Sequence, residues 1–389
     1  MHKVWILFIY AMLVGLGMNL AHPITPAHLR TIEVSSNMFG VIFASMNLGQ
    51  FIMAPVWGNL GDSKNRKAVL IIGLIGYGVS QALFGYFTNI YLIILVRFSA
   101  GVFASAIISN VLAHISISKD YENHKGKIIS LFVAFNVIGS TLGYYVGGFL
   151  GNLFTGQESI MMYIQAVYNV ILALFTFVFI HMIETDKVLS KRQSALKQLS
   201  QIRKLSKPLF LLVVMIAVIS IAQTNFSKYL DLYMTDIGYK SSDIGTLVFV
   251  TGIITLIMSF LVVPRLYNRF KDTHILVVSV FLQAVFSVLT FTFDQGYFLL
   301  YGYSFYLVYI AGKAIYEPTV TYHLSKYKDV SPGILMGSRT SAIALGAIIG
   351  PLLAGLIYDD IGHYLFMILS LLLLLSGVVL YYYQRSVKL

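Results

Sequence analysis

Gly139-Ser-Thr-Leu-Gly143-Tyr-Tyr-Val-Gly147-Gly148 returns as Gly346-Ala-Ile-Ile-Gly350-Pro351-Leu-Leu-Ala354-Gly355, 207 residues further on. Both stretches lie inside long apolar runs, and both place a small residue at every fourth position. On a helix that spacing leaves a bare strip, along which a second helix can approach at backbone distance, as helices do in a bilayer. One such strip marks a helix contact. Two in matching places mark a duplicated fold.

The surroundings repeat as well. The loop Gly58-Asn-Leu-Gly-Asp62-Ser-Lys-Asn-Arg66-Lys67 corresponds to Pro264-Arg-Leu-Tyr-Asn268-Arg269-Phe-Lys271, and the approaches Ser35-Ser36-Asn37 and Ser241-Ser242-Asp243 both read as helix N-caps. Runs long enough to cross a hydrocarbon core of ~30 Å occur near 4–28, 38–60, 68–87, 90–115, 127–153, 160–183, 208–232, 243–265, 273–293, 297–323, 334–358 and 363–384. The first is too long for the apolar core of a leader peptide and reads as a retained span. Of the 389 residues, 58% are apolar and 11% charged, far from the quarter charged that soluble domains carry. With no cysteine, disulfides, thiolate metal sites and thiol nucleophiles are excluded.

Charge tests the span count. With both termini placed in the cytoplasm, the inner segments hold 21 of the 27 Lys and Arg, the outer loops only Arg30 and Lys240. Arg97, Lys228, Lys313 and Arg339 remain within or at the ends of spans, and the acids divide evenly, as expected of residues with little topological weight. The net charge of +11 is therefore explained by membrane orientation, without a nucleic-acid partner. The expected architecture is all-α: residues 1–183 and 208–389 as six-helix bundles related by a pseudo-twofold, joined by the basic linker 184–207. Parallel six-span repeats are the sequence footprint of secondary transporters.

At this point the residues resemble the major facilitator superfamily, and more narrowly its twelve-span bacterial drug:proton antiporters. Gly58, Leu60, Asp62, Arg66 and Lys67 match the loop motif G-x-L-x-D-[RK]-x-G-R-[RK]; Ser63 and Asn65 depart from it, Asn65 being expected in the left-handed turn that glycine usually takes. Arg97-Phe-Ser-Ala-Gly101 resembles the R-x-x-x-G motif, and Pro23 and Pro26 resemble the family's first-span ending. Gly139, Gly143, Gly147 and Gly148 keep the glycines of the fifth-span signature G-x-x-x-G-P-x-x-G-G, with Tyr144 at the proline position; Gly346 and Gly350 belong to the eleventh-span copy, which has Pro351. The resemblance implies the major facilitator fold, a multi-pass plasma-membrane monomer, and proton-driven export of small amphipathic compounds by alternating access. It implies no cofactor and no metal.

A charge at bilayer depth is costly and needs a reason to be there. The resemblance implies that Arg97 meets protons or substrate in a central cavity; packing alone would have it bind helix ends. Lys313 and Glu317, four apart, share a helix face and can pair, with Pro318 favouring a bend beside them. Glu317 is the expected proton carrier, with Arg339 either its competing partner or an interfacial residue. Asp231, three residues from Lys228, and His22, a group that titrates near neutrality, are further coupling candidates. Asn136, Tyr145, Asn225, Tyr309 and Tyr316 are expected to line the cavity with Arg97, Lys313 and Glu317. Asp62, Arg66 and Lys67 are expected to form a cytoplasmic latch with Gly58, and Asn268 and Arg269, lacking the acid, a weaker second one. The excess of cationic candidates leaves a second cargo open, an anionic or zwitterionic metabolite, chelator or lipid-linked sugar. No H-E-x-x-H, paired-aspartate or Ser/His spacing supports a membrane enzyme.

Overall fold

The computed structural model describes residues 2–63, 65–117, 124–180, 194–203, 205–292, 295–327, 330 and 332–386. These residues are helical almost throughout, and no strand occurs among them. The helices are α1 (His2–Asn19), α2 (Thr25–Thr31), α3 (Ser36–Ser63), α4 (Arg66–Tyr86), α5 (Ile90–Ala104), α6 (Ile107–Ile117), α7 (Lys125–Asn152) and α8 (Ser159–Phe179). After α9 (Ala195–Ile202) follow α10 (Lys207–Asp236), α11 (Ser241–Ile257), α12 (Val263–Tyr267), α13 (Asp272–Phe291), α14 (Phe298–Tyr301), α15 (Leu307–Ser325), α16 (Pro332–Ile361) and α17 (Tyr364–Ser386). Among the described residues, eleven stretches are long and apolar enough to cross a membrane. The expected fourth span is the exception: its helix breaks at Ser105–Ala106, leaving Ile90–Ala104 and α6 as separate pieces. The indole of Trp57 donates to the Val102 carbonyl at 2.7 Å, taking up an acceptor beside the break.

Contacts group Met1–Ala195 with Gly238–Phe249 in one unit and Leu196–Ile237 with Val250–Leu389 in another. Each unit repeats one pairing scheme. In the first, α1 packs on α7 and α4 on α8 and α5; in the second, α10 packs on α16 and α13 on α17 and α15. The duplicated glycine strips lie on the first of these pairs. A Cβ on Gly139 or Gly147 would overlap the carbonyl oxygen of Met12 or Leu20, and one on Gly143 would come within 2.6 Å of that of Leu16. Glycine is required there because the obstacle is backbone, which cannot rotate aside. In the second unit the same construction is looser: a Cβ on Gly346 would come within 2.6 Å of the Ala217 carbonyl oxygen and one on Gly350 within 3.1 Å of that of Ile221, and the third position is already Ala354.

Asn65 corrects the sequence reading. Its φ of −140° is extended, not left-handed, and its side chain accepts from the Ala68 amide at 3.1 Å, so it is the N-cap of α4. The two expected caps at α3 and α11 also differ from each other: Met38 N reaches Ser35 Oγ only at 3.5 Å, whereas the Asp243 carboxylate accepts the Lys240 amide at 2.9 Å, the backward half of a capping box.

Candidate functional site

In the first unit, α5 carries Arg97 into the interior, where it is 2% exposed. Its guanidinium lies over the Phe84 ring, 3.5 Å from the centroid, a cation–π contact in a desolvated place. Nε and Nη2 have no hydrogen-bond partner, and no carboxylate among the described residues lies within ion-pair distance. Beside Arg97 runs a chain of buried amides and hydroxyls. Gln81 Nε2 donates to the Tyr77 hydroxyl at 2.9 Å and to Gln165 Oε1 at 2.6 Å. Tyr77 donates to the Met18 carbonyl at 3.0 Å, and Gln165 Nε2 to that of Gly17 at 2.7 Å. Three helices, α1, α4 and α8, are thereby tied together beside a cation that the protein leaves incompletely satisfied. A cation this buried and this incompletely hydrogen-bonded is costly in a membrane helix.

The other first-unit candidates scatter. The His22 ring stacks on Tyr144, centroids 5.7 Å apart and planes 15° apart. The tyrosine at the proline position is thus a packing partner of the end of α1. Asn136 Nδ2 donates to the Ala11 carbonyl at 3.0 Å, spending its donor on the α1–α7 seam. Tyr145 is half-buried between Phe149 and Phe249, and Gly148 faces the Ser241 carbonyl of the same unit.

In the second unit the carboxylate is paired across helices. Arg339 Nη2 of α16 donates to Glu317 Oε2 of α15 at 2.8 Å, with the side chains 19% and 38% exposed. The expected pairing of Lys313 with Glu317 is not what the structure has: no ion pair joins them, because Arg339 delivers its planar donor from the neighbouring helix while the lysine stays one turn back on its own. Tyr309 is 1% exposed and wedged against Phe226 and Tyr306, at 4.8 and 5.2 Å, with its hydroxyl unpartnered. Tyr316 is likewise buried. Asn225, 1% exposed, lies beside Gly350 with Oδ1 unpartnered. Asp231 is buried, in electrostatic range of the Tyr306 hydroxyl.

Of the latch residues, the side chain of Asp62 lies outside the described residues. Gly58 and Arg66 are buried, and Lys67 Nζ lies over the Phe177 ring at 5.3 Å. Asn268 and Arg269 are exposed. The second loop has Asn268 where the first has Asp62, and the next acid along the chain is Asp272, the first residue of α13. It accepts from His323 Nδ1 at 2.8 Å and Lys326 Nζ at 3.0 Å, while His323 Nε2 meets the Tyr383 hydroxyl at 3.0 Å. Sequence reasoning missed this network and the amide chain around Arg97. The signal for the second was present: an amide at bilayer depth must find a partner on another helix, so Gln81, Gln165, Gln223 and Gln283 each predicted one. Gln223 and Gln283 do pair, at 2.7 Å.

Comparison with known proteins gives a consistent family. The model of the Major Facilitator Superfamily matches residues 7–331. The Quinolone resistance protein NorA of Staphylococcus aureus is 25% identical over 361 residues, 92% of this chain and 90% of the relative. Multidrug resistance protein 2 of Bacillus subtilis is 23% identical over 364 residues, 90% and 88% of the two chains. Among solved structures, the nucleoside transporter NupG superposes with a TM-score of 0.81 at 14% identity, covering 99% of this chain and all of the other. That likeness speaks for the fold alone.

Proposed function

The chain belongs to the major facilitator superfamily, and from that premise we propose that this membrane transporter exports small amphipathic compounds, of the drug type, in exchange for protons by alternating access. The observation that carries the reading is similarity over about nine-tenths of the chain to proteins named for quinolone and multidrug resistance. In this reading residues 1–183 and 208–389 are the two halves, 184–207 is the linker, both termini are cytoplasmic, and the protein is a monomer of the plasma membrane.

Glu317 is the proton carrier. A carboxylate that is partly exposed and held by one arginine can exchange its counterion for a proton when Arg339 moves. Arg97, with two guanidinium nitrogens unspent, meets the substrate or a coupled group. Asp231 and His22 assist coupling; Lys313, Asn136, Tyr145, Asn225, Tyr309 and Tyr316 shape the path. Gly58, Asp62, Arg66 and Lys67, with Asn268 and Arg269, form the cytoplasmic latches. Protonation and substrate binding each shift the equilibrium between the two access states by their differential affinity for them, and export follows from that competition.

The test is proton movement in inverted vesicles. Lipophilic cationic drugs should alkalinise an acidified lumen containing the wild-type protein, and Glu317→Gln should abolish the response while leaving the protein in the membrane. A response confined to organic anions would replace the drug cargo. A full response in Glu317→Gln would remove the carboxylate from the mechanism.

A further inference from the structure

Away from the residues assigned to transport, one end of the second unit carries two adjoining cavities. One, of about 280 Å³, is lined by polar side chains, among them Lys271, Thr273, Lys326 and Gln384. The other, of about 410 Å³, is apolar and walled by Val262, Leu266, Val278 and Leu282. Phe270, 54% exposed, borders both. The apolar groove has a local cause. Pro264 cannot donate to the helix and crowds the carbonyl four residues back, and the chain answers with a π-turn over Met258–Val262 just before α12.

The electrostatics of this end are one-sided. Its permanent cations are Arg265, Arg269, Lys271, Lys326 and Arg385, and the acid among its described residues is Asp272. That carboxylate is already occupied by His323 and Lys326, and Lys326 is further held over the Tyr322 ring at 4.6 Å. Lys271, exposed beside the polar cavity, has no ion pair among the described residues. At the border of the two cavities Gln384 Nε2 meets His274 Nδ1 at 3.0 Å, and Gln384 Oε1 is buried without a partner. A free cation, an unspent acceptor and a hydrocarbon-lined groove lie side by side on spanning helices. This is the complement of an amphiphile with an anionic, hydroxyl-bearing head.

We propose that this end of the second unit binds an anionic glycerophospholipid of the phosphatidylglycerol type, its phosphate drawn to Lys271, its head-group hydroxyls to Gln384, and an acyl chain lying past Phe270 along α12 and α13. Basic pockets between membrane helices recognise lipid head groups through such an arrangement. No residue lining either cavity is assigned to transport, so lipid retention is read separately from export.

Native mass spectrometry of the full-length protein in mild detergent tests it, with added phosphatidylglycerol, phosphatidylcholine of the same chains, or glycerol 1-phosphate. The wild type should retain phosphatidylglycerol over phosphatidylcholine by about fivefold, the value of one juxtamembrane lysine. Lys271→Glu, on the surface at the start of α13, should erase that preference while the protein stays folded, as its elution in the same detergent shows. Val278→Trp, which fills the exposed groove, should reduce retention of both lipids. Equal retention of the two lipids, or an unchanged preference in Lys271→Glu, overturns the proposal. Displacement of the lipid by glycerol 1-phosphate alone also overturns it, in favour of a soluble anion.

Discussion

The two units are built on one plan and spend it differently. In the first, α1 and α7 meet along three glycines whose added Cβ would lie 1.8 to 2.6 Å from a carbonyl oxygen; in the second, α10 and α16 meet along two glycines and Ala354, and at Gly350 that distance widens to 3.1 Å. The charges diverge in the same sense. Arg97 is enclosed and unpaired in the first unit, while Arg339 of the second is ion-paired and partly exposed. The position of Arg66 in the first unit, 206 residues earlier, is held by Asp272 in the second, so one repeat opens its helix with a base and the other with an acid. Duplication has conserved the helix contacts and released the chemistry on them.

The largest effect should come from the tight seam. Gly147→Leu must displace the backbone of α1, and should leave no folded protein after extraction, as judged by size-exclusion chromatography. Gly147→Ala should cost about 1–3 kcal/mol, the usual price of overpacking. Gly350→Ala should cost well under that, because its nearest neighbours at 3.1 Å need give only a few tenths of an ångström. Unfolding midpoints in one detergent decide the matter; equal losses at the two glycines would erase the contrast between seams.

Next comes Arg97. Because it is buried and lacks a carboxylate partner, an apolar side chain of similar length removes an uncompensated charge. Arg97→Met should therefore raise stability, by up to about 1–4 kcal/mol as for other buried ionic groups, while transport is lost. Arg339→Met is the counter-experiment. It strands Glu317, and since that pair is partly exposed the loss should be no more than about 1 kcal/mol. A destabilised Arg97→Met would show that the guanidinium serves packing through Phe84, and would bring the two arginines into one class.

Much of this was legible in the sequence. Hydropathy located eleven of the twelve expected spans because the hydrocarbon is a solvent uniform along the chain, and the glycine strips marked α7 and α16 as helices packed at backbone distance. The break at Ser105 has no local sign in the sequence, because the Trp57 indole that takes up the Val102 carbonyl beside it lies 45 residues from that carbonyl. The charges of the site stood out because they are expensive in a bilayer. Their partners did not, since spacing along one helix favours Lys313 for Glu317 and only the neighbouring helix reveals Arg339. Gln81 and Gln165 were missed for a different reason: an amide carries no charge to draw attention, yet needs a partner as firmly.

The smallest effect separates two readings of one residue. The helices that open the third and ninth spans start in different ways: α4 is capped by the Asn65 side chain, whereas α13 begins after Lys271 with no side-chain cap and carries Asp272 in its first turn, where a carboxylate suits the positive end of the helix. The superfamily motif resembled here has glycine at position 65, which is why a left-handed turn was expected there. If Asn65 acts as a cap, Asn65→Ala should cost about 1 kcal/mol and Asn65→Gly only a few tenths. If the position instead selects for left-handed backbone, Asn65→Gly should raise the unfolding midpoint above wild type. Because φ is −140°, we expect glycine to fall between asparagine and alanine. Lys271→Asn, giving α13 the cap it lacks, should then stabilise the second unit by a comparable fraction of a kilocalorie.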